Sequence, residues 1–359
     1  MTKKVSIIGF GATSQVLAAT FSLKGLDVTL AFPDIAETVE EVQKQYGAIQ
    51  SRGGILVRGN GARGVALPNL TTDMEKALGH SDAIIVSAVA AYHEQVARAV
   101  APYLRDGHAL LIGPGNAGAI VFRNIFKERG ITARVLVAET QGNFCSARIT
   151  GNAEAVSANT LAVKKIAAYP ASDTAAVQKA FDGILETEAL ANVLETTLNS
   201  PNVINHLTAT ILCSAKIDDM GKGFHLFLHG LTDTVMKGLR AAANEWDAVM
   251  KALGIWQMPS PLEHMERVRA HGEYPELDIF RSLDGPDSLK HRYVTEDAGA
   301  AVTLLVSLAR LLKVPVPFTE GILAIAGALN DTNYYDGGRN LDNLGFGGKT
   351  IAEIKKALL

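Results

Sequence analysis

The absences in this sequence narrow the field first. Only two cysteines occur, Cys145 and Cys213, with no Cys-x-x-Cys pair. A disulfide framework and a cysteine-based zinc site are therefore not expected, and a reducing, cytoplasmic location is. No long apolar run exists. The N-terminal stretch 5–10 is short and is broken by Gly9, so it is too small for a membrane span or the core of a secretory signal. No membrane partner is expected. Positive charge is not in excess either: 34 Lys and Arg against 37 Asp and Glu give a net charge of −3. Such a chain has no global field to gather nucleic acid, and none is expected as a partner. Low-complexity tracts and short-period repeats are also missing. What is present is length: 359 residues, 48% of them hydrophobic, exceed one ordinary core and fit two domains.

The first half alternates two kinds of segment. Residues 5–8, 28–32, 83–89, 109–112 and 135–138 are apolar runs, as in strands buried on both faces of a parallel sheet. The stretches 14–24, 35–46, 93–104 and 119–129 carry helical patterns. This rhythm predicts an α/β domain with a doubly wound, mainly parallel sheet. A β-branched stretch, 160–169, and a helix over 175–185 close it. Beyond about residue 190 strand signals nearly vanish, and helices are expected over 193–216, 231–253, 262–271, 298–312 and 318–329. The reading is a domain over 1–190 and an all-α domain over 191–359.

The first strand runs into Gly9-Phe10-Gly11-Ala12-Thr13-Ser14, a G-x-G-x-x-S variant of the dinucleotide fingerprint. The first glycine permits the tight turn, the second lets a pyrophosphate approach the backbone, and the third position must be small. Free N–H groups at the following helix N-terminus suit phosphates. A Rossmann domain binding NAD or NADP is expected through Gly9, Gly11, Ala12, Thr13 and Ser14. Asp34, just past the second strand, either bonds the ribose hydroxyl of NAD or only caps the next helix. No basic residue lies between Thr29 and Val42, which leans the choice to NAD, although Arg52 could reach in from a loop.

Four segments point further: Gly9-Phe10-Gly11; Asn192-Val193-Leu194 with Asn205-His206; Arg292-Tyr293-x-x-Glu296-Asp297; and the run from Gly338 through Arg339-Asn340-Leu341 to Gly345. On these the chain resembles the opine dehydrogenases of the octopine/nopaline type, over nearly its whole length. The resemblance implies an oxidoreductase that condenses an amino acid with a 2-oxo acid such as pyruvate, reductively and reversibly. It also implies that His206 and Asp297 form a catalytic pair, that Arg292 helps hold a substrate carboxylate, and that the site lies in the cleft between the domains.

The bare chemistry agrees with those residue types. An imine or carbonyl that receives hydride needs an acid–base near neutral pH, and histidine oriented by a carboxylate supplies one. By itself His206 reads equally as a core histidine, Asp297 as the cap of the helix that follows, and Arg292 as a surface charge. Asn116 and Thr140 lie just past strand carboxyl ends, where ligands of parallel sheets bind. They are either substrate contacts or plain loop residues. Glu263, His264, Glu266 and His271 read as a solvated helix face and not as metal ligands, and Cys145 as unreactive. Two other functions stay open: a ketopantoate reductase or glycerol-3-phosphate dehydrogenase type of reductase using Lys216 as its acid, and a non-catalytic NAD(P)-binding sensor. A homodimer through the helical half is compatible with the sequence.

Overall fold

The structure, a computed structural model, describes residues 2–33, 35, 39–59, 62–158 and 161–359. The chain divides into two units, one ending at Thr196 and including Leu359, the other running from Thr197 to Leu358.

In chain order the strands of the first unit are β1 (Lys4–Ile8), β2 (Asp27–Ala31), β3 (Ile55–Gly59), β4 (Gly64–Ala66), β5 (Asn69–Thr71), β6 (Ala83–Val86), β7 (Ala109–Ile112), β8 (Leu136–Thr140), β9 (Ala147–Gly151), β10 (Glu154–Ser157), β11 (Lys164–Ala168) and β12 (Thr187–Ala189). Its helices are α1 (Ala12–Leu23), α2 (Val39–Arg52), α3 (Met74–His80), α4 (His93–Val100), α5 (Gly118–Glu128) and α6 (Thr174–Ala180), and the division between units falls within α7 (Val193–Leu198). Eight strands form one sheet in the order β12-β11-β8-β7-β6-β1-β2-β5. Its pairs are parallel except β11 against β8. The order reverses at β1, between β2 and β6, and ligands of such sheets bind outside the strand carboxyl ends at that point. All residues of β6 and β7 are buried, which explains their unbroken apolar sequences.

A second sheet, β4-β3-β10-β9, lies on the other side of α1. Helix α1 packs against both sheets, so residues 14–21 are buried without a polar face. A helix enclosed on all sides needs none. Most of this second sheet comes from short strands rich in glycine and charge, and periodicity does not announce them.

The second unit is helical, with no strand among the described residues. Its helices are α8 (Asn202–Leu212), α9 (Ser214–Met220), α10 (Asp233–Leu253), α11 (Leu262–Arg269), α12 (Asp278–Arg281), α13 (Arg292–Asp297), α14 (Thr303–Leu312), α15 (Pro317–Asn330), α16 (Tyr334–Gly337) and α17 (Ile351–Leu358). The continuous helix expected over 193–216 is instead three: Pro201 leads into α8, and Cys213 separates α8 from α9. Helix α10 starts at Thr232, whose hydroxyl accepts from the Val235 N–H, and stops at Gly254 with φ 62°. These are the cap and stop that local chemistry prefers. Of two π-turns, Leu226–Gly230 stands by itself before α10, and Ala298–Val302 joins α13 to α14. Among the described residues no helix is long and apolar enough to cross a membrane.

Candidate active site

In the first unit, β1 delivers the glycine loop to the N-terminus of α1. Gly9 has φ 128°, and a Cβ there would overlap the Ser87 carbonyl oxygen beyond β6. Its N–H donates to Ala31 O at 2.7 Å. Only glycine fits so close a crossing. Gly11 differs: it is the N-cap of α1, no side chain caps the helix there, and a Cβ would meet nothing within 4 Å. Uncapped N–H groups beside open space fit the pyrophosphate of a dinucleotide. Ser14 occupies the third fingerprint position, fully buried, and its hydroxyl donates to Ser87 O at 3.1 Å. The serine thus replaces the usual glycine by satisfying its own hydroxyl. Thr13 accepts from Asn143 Nδ2 at 3.2 Å, and Ala12 opens the helix. Asp34 lies outside the described residues. Arg52 ends α2 and faces Glu154 at 3.9 Å.

The loop between β7 and α5 holds Asn116 and Ala117, both left-handed at φ 52° and 63°. Such a pair is strained outside glycine and needs support. Glu139 provides it. This fully buried carboxylate at the end of β8 accepts from Ala119 N at 3.0 Å, Ala117 N at 3.4 Å and Thr196 Oγ1 at 2.7 Å. Glu139 therefore caps α5 from 20 residues downstream, a role with no local sequence signal. Thr140, expected as a substrate contact, is the last residue of β8. Its fully buried hydroxyl lies 2.6 Å from Gly142 O and 3.3 Å from Ile112 O. Asn116 is 4% exposed, at the carboxyl end of β7.

In the second unit, α8 and α13 bring together residues 91 positions apart: His206 Nδ1 lies 3.0 Å from Asp297 Oδ2. The two are 8% and 2% exposed. The bond ties the Nδ1 edge of the imidazole to the Asp297 carboxyl group. Asp297 does not precede a helix, as expected; it is the last residue of α13, which continues through the π-turn Ala298–Val302 into α14. Burial pushes the Asp297 carboxyl up to about 8, and the Arg292 cation works against that. Arg292 Nη1 donates to the buried Glu296 at 3.4 Å, four residues on, while 30% of its side chain stays exposed. Burial opposes the Arg292 charge, but Glu296, Tyr293 and Asp297 outweigh it and raise its pKa.

The run Gly338–Gly345 earns its place structurally. Arg339 N–H donates to Gly299 O within the π-turn at 2.8 Å, and a Cβ on Gly338 would overlap that same carbonyl. Asn340 donates to Tyr335 O at 2.9 Å, and the Leu341 N–H to Ser307 Oγ at 3.1 Å. The segment thus clamps the turn that follows Asp297. Other candidates have partners of their own or are buried. Lys216 is exposed and donates to His229 O at 2.8 Å. Glu263 and Glu266 pair with Arg267 and Arg269, both at 2.5 Å. Burial pushes the Cys145 thiol up to about 11, which keeps it protonated and inert.

Residues 189–330 match the family model described as NAD/NADP octopine/nopaline dehydrogenase, alpha-helical domain. The helical unit is thus similar to the alpha-helical domain of octopine/nopaline dehydrogenases. Across 99% of both chains the protein is 29% identical to an opine dehydrogenase of Arthrobacter sp. (strain 1C). It shares the fold of an octopine dehydrogenase solved with NADH and L-arginine, with TM-score 0.69, 19% identity and 98% of each chain covered. A ketopantoate reductase from Ralstonia eutropha JMP134 is also similar in fold, with TM-score 0.60, 17% identity, and coverage of 91% of this chain and 98% of that one. Fold alone therefore does not separate opine dehydrogenases from that reductase type; the site residues must.

Proposed function

We propose that this chain is an NAD(P)H-dependent opine dehydrogenase, reversibly condensing an amino acid with a 2-oxo acid such as pyruvate. The observation that carries this reading is the buried His206–Asp297 pair at 3.0 Å, in a unit that matches the octopine/nopaline model. In the forward direction the amine nitrogen adds to the keto carbon, water leaves as C=N forms, and a hydride and a proton complete the secondary amine. Bound NADH or NADPH supplies the hydride. His206 gives the proton through Nε2, or takes it in the oxidative direction, and Asp297 keeps the ring in the required tautomer. Arg292 holds a carboxylate, a group both substrates carry, with the donors it does not spend on Glu296. Gly9, Gly11, Ala12, Thr13 and Ser14 seat the pyrophosphate, and Asn116 belongs to the substrate side. The buried thiols of Cys145 and Cys213 suit a cytoplasmic site of action, and a homodimer is part of the same proposal, checked by sedimentation.

The test is oxidation of NADH and of NADPH with pyruvate against a panel of L-amino acids. Consumption should require both substrates and should fall at least about 100-fold in His206→Asn. Oxidation with an oxo acid alone would mark a simple 2-oxo acid reductase. That alternative needs Lys216 as its acid, and the exposed ammonium bonded to a backbone carbonyl favours His206. Cofactor binding with no turnover under any pairing would support a sensor.

A further inference from the structure

The bond to Asp297 fixes one atom of the His206 imidazole but not its plane. The outer torsion of histidine is soft, so a ring held at Nδ1 alone swings Nε2 along an arc. Tyr293 removes that freedom. Its ring lies on the imidazole with centroids 3.7 Å apart and planes 18° apart. Tyr293 and Asp297 are four residues apart on α13, hence on one helix face. One takes the face of the imidazole and the other its edge. Phe227, from the π-turn Leu226–Gly230, meets the imidazole at 6.4 Å and 53°.

Tyr293 is itself pinned. It is 3% exposed. Its N–H donates to His291 Nδ1 at 3.2 Å, and the His291 ring abuts it edge-on at 4.7 Å. The residue that caps α13 thus also abuts the platform under the imidazole. The Arg292 guanidinium also lies 5.1 Å from the Tyr293 ring centre.

We infer that Tyr293 is a positioning residue: it sets the plane of the His206 imidazole and so the direction in which Nε2 exchanges its proton. The inference rests on the opine dehydrogenase reading above. It predicts that a stacked aromatic ring at this position sets the imidazole plane.

The experiment compares Tyr293→Leu with Tyr293→Phe in the full chain by two readouts. The first needs no turnover. The carbon-bound ring protons of His206, identified in proton NMR spectra by their loss in His206→Asn, lie upfield in wild type and in Tyr293→Phe, shielded by the stacked ring. In Tyr293→Leu that shielding disappears. The second is kinetic. The Leu variant loses about tenfold in kcat with KM for both substrates within about twofold, and the Phe variant retains wild-type kcat. Should the Leu variant not fold, Tyr293→Met fills similar volume without a ring and takes its place. Unshielded His206 protons in the wild type, or a ringless variant with wild-type kcat, would overturn the inference. If the wild type turns over no pairing of amino acid and oxo acid, the opine reading fails, and the NMR comparison still decides whether Tyr293 sets the ring.

Discussion

Asp297 carries the most consequence of any single side chain. Its carboxyl, raised to about 8 by burial, binds a proton in the folded chain at pH values where an unfolded aspartate has lost it. Proton binding is then greater in the folded state between the ordinary value of 3.8 and about 8. Stability contributed by this group accordingly falls as pH rises across that window and levels off above it. Asp297→Asn should flatten the slope, so that its Tm drops less than the wild-type Tm between pH about 5 and about 8, as thermal melts across that range would read. Reductive turnover consumes a proton, so its rate should decline as pH rises, while the oxidative direction gains; initial rates in both directions check the sign. The sequence alone left His206 and Asp297 as a core histidine and a helix cap, because a pair 91 positions apart has no local pattern. Their pairing was legible only through the family resemblance. Glu139 was not legible at all, since an acid at a strand end gives no sign that it caps a helix lying upstream.

Among the elements, the two loop glycines separate folding from binding. Gly9→Ala places a methyl group against the Ser87 carbonyl at a φ of 128°, and should cost about 2–3 kcal/mol or more in a denaturant titration. Gly11→Ala meets nothing in the protein. It should leave the Tm within about 2 °C and still weaken NADH binding at least about tenfold, about 1.4 kcal/mol, read by quenching or anisotropy. Equal binding by Gly11→Ala and wild type would mean the pyrophosphate does not lie there. The buried strands β1, β6 and β7 were readable because both their faces are apolar. The strands β3, β4, β5, β9 and β10 escaped: they are three to five residues long and half-exposed, and their pairing comes from distant partners. The break at Pro201 was readable in principle, since a proline interrupts an otherwise helical pattern.

For the molecule as a whole, the residues of the proposed chemistry are divided between two units. The first holds the glycine loop and the second holds His206, Arg292 and Asp297. Separate units should respond separately to substitution. His206→Asn should bind NADH with a Kd within about twofold of wild type, and Gly11→Ala should leave the His206 ring protons unmoved. A His206 variant that lost cofactor binding would show that the two functions are coupled. The change from alternating to purely helical sequence near residue 190 was visible without coordinates; the structure places the division a few residues later, inside a helix.

The π-turn Ala298–Val302 makes α13 and α14 one rod with a phase shift in it. Each helical residue advances the rod by about 100°, so the wider turn decides which residues downstream of Asp297 look inward. Thr303 bonds back to Ala298 O at 2.7 Å, and Arg339 N–H takes up the Gly299 carbonyl. Removing one residue there would re-index the whole of α14 against its neighbours while leaving composition and hydropathy almost untouched. This part of the chain should therefore tolerate exchange of one small residue for another far better than any change in their number.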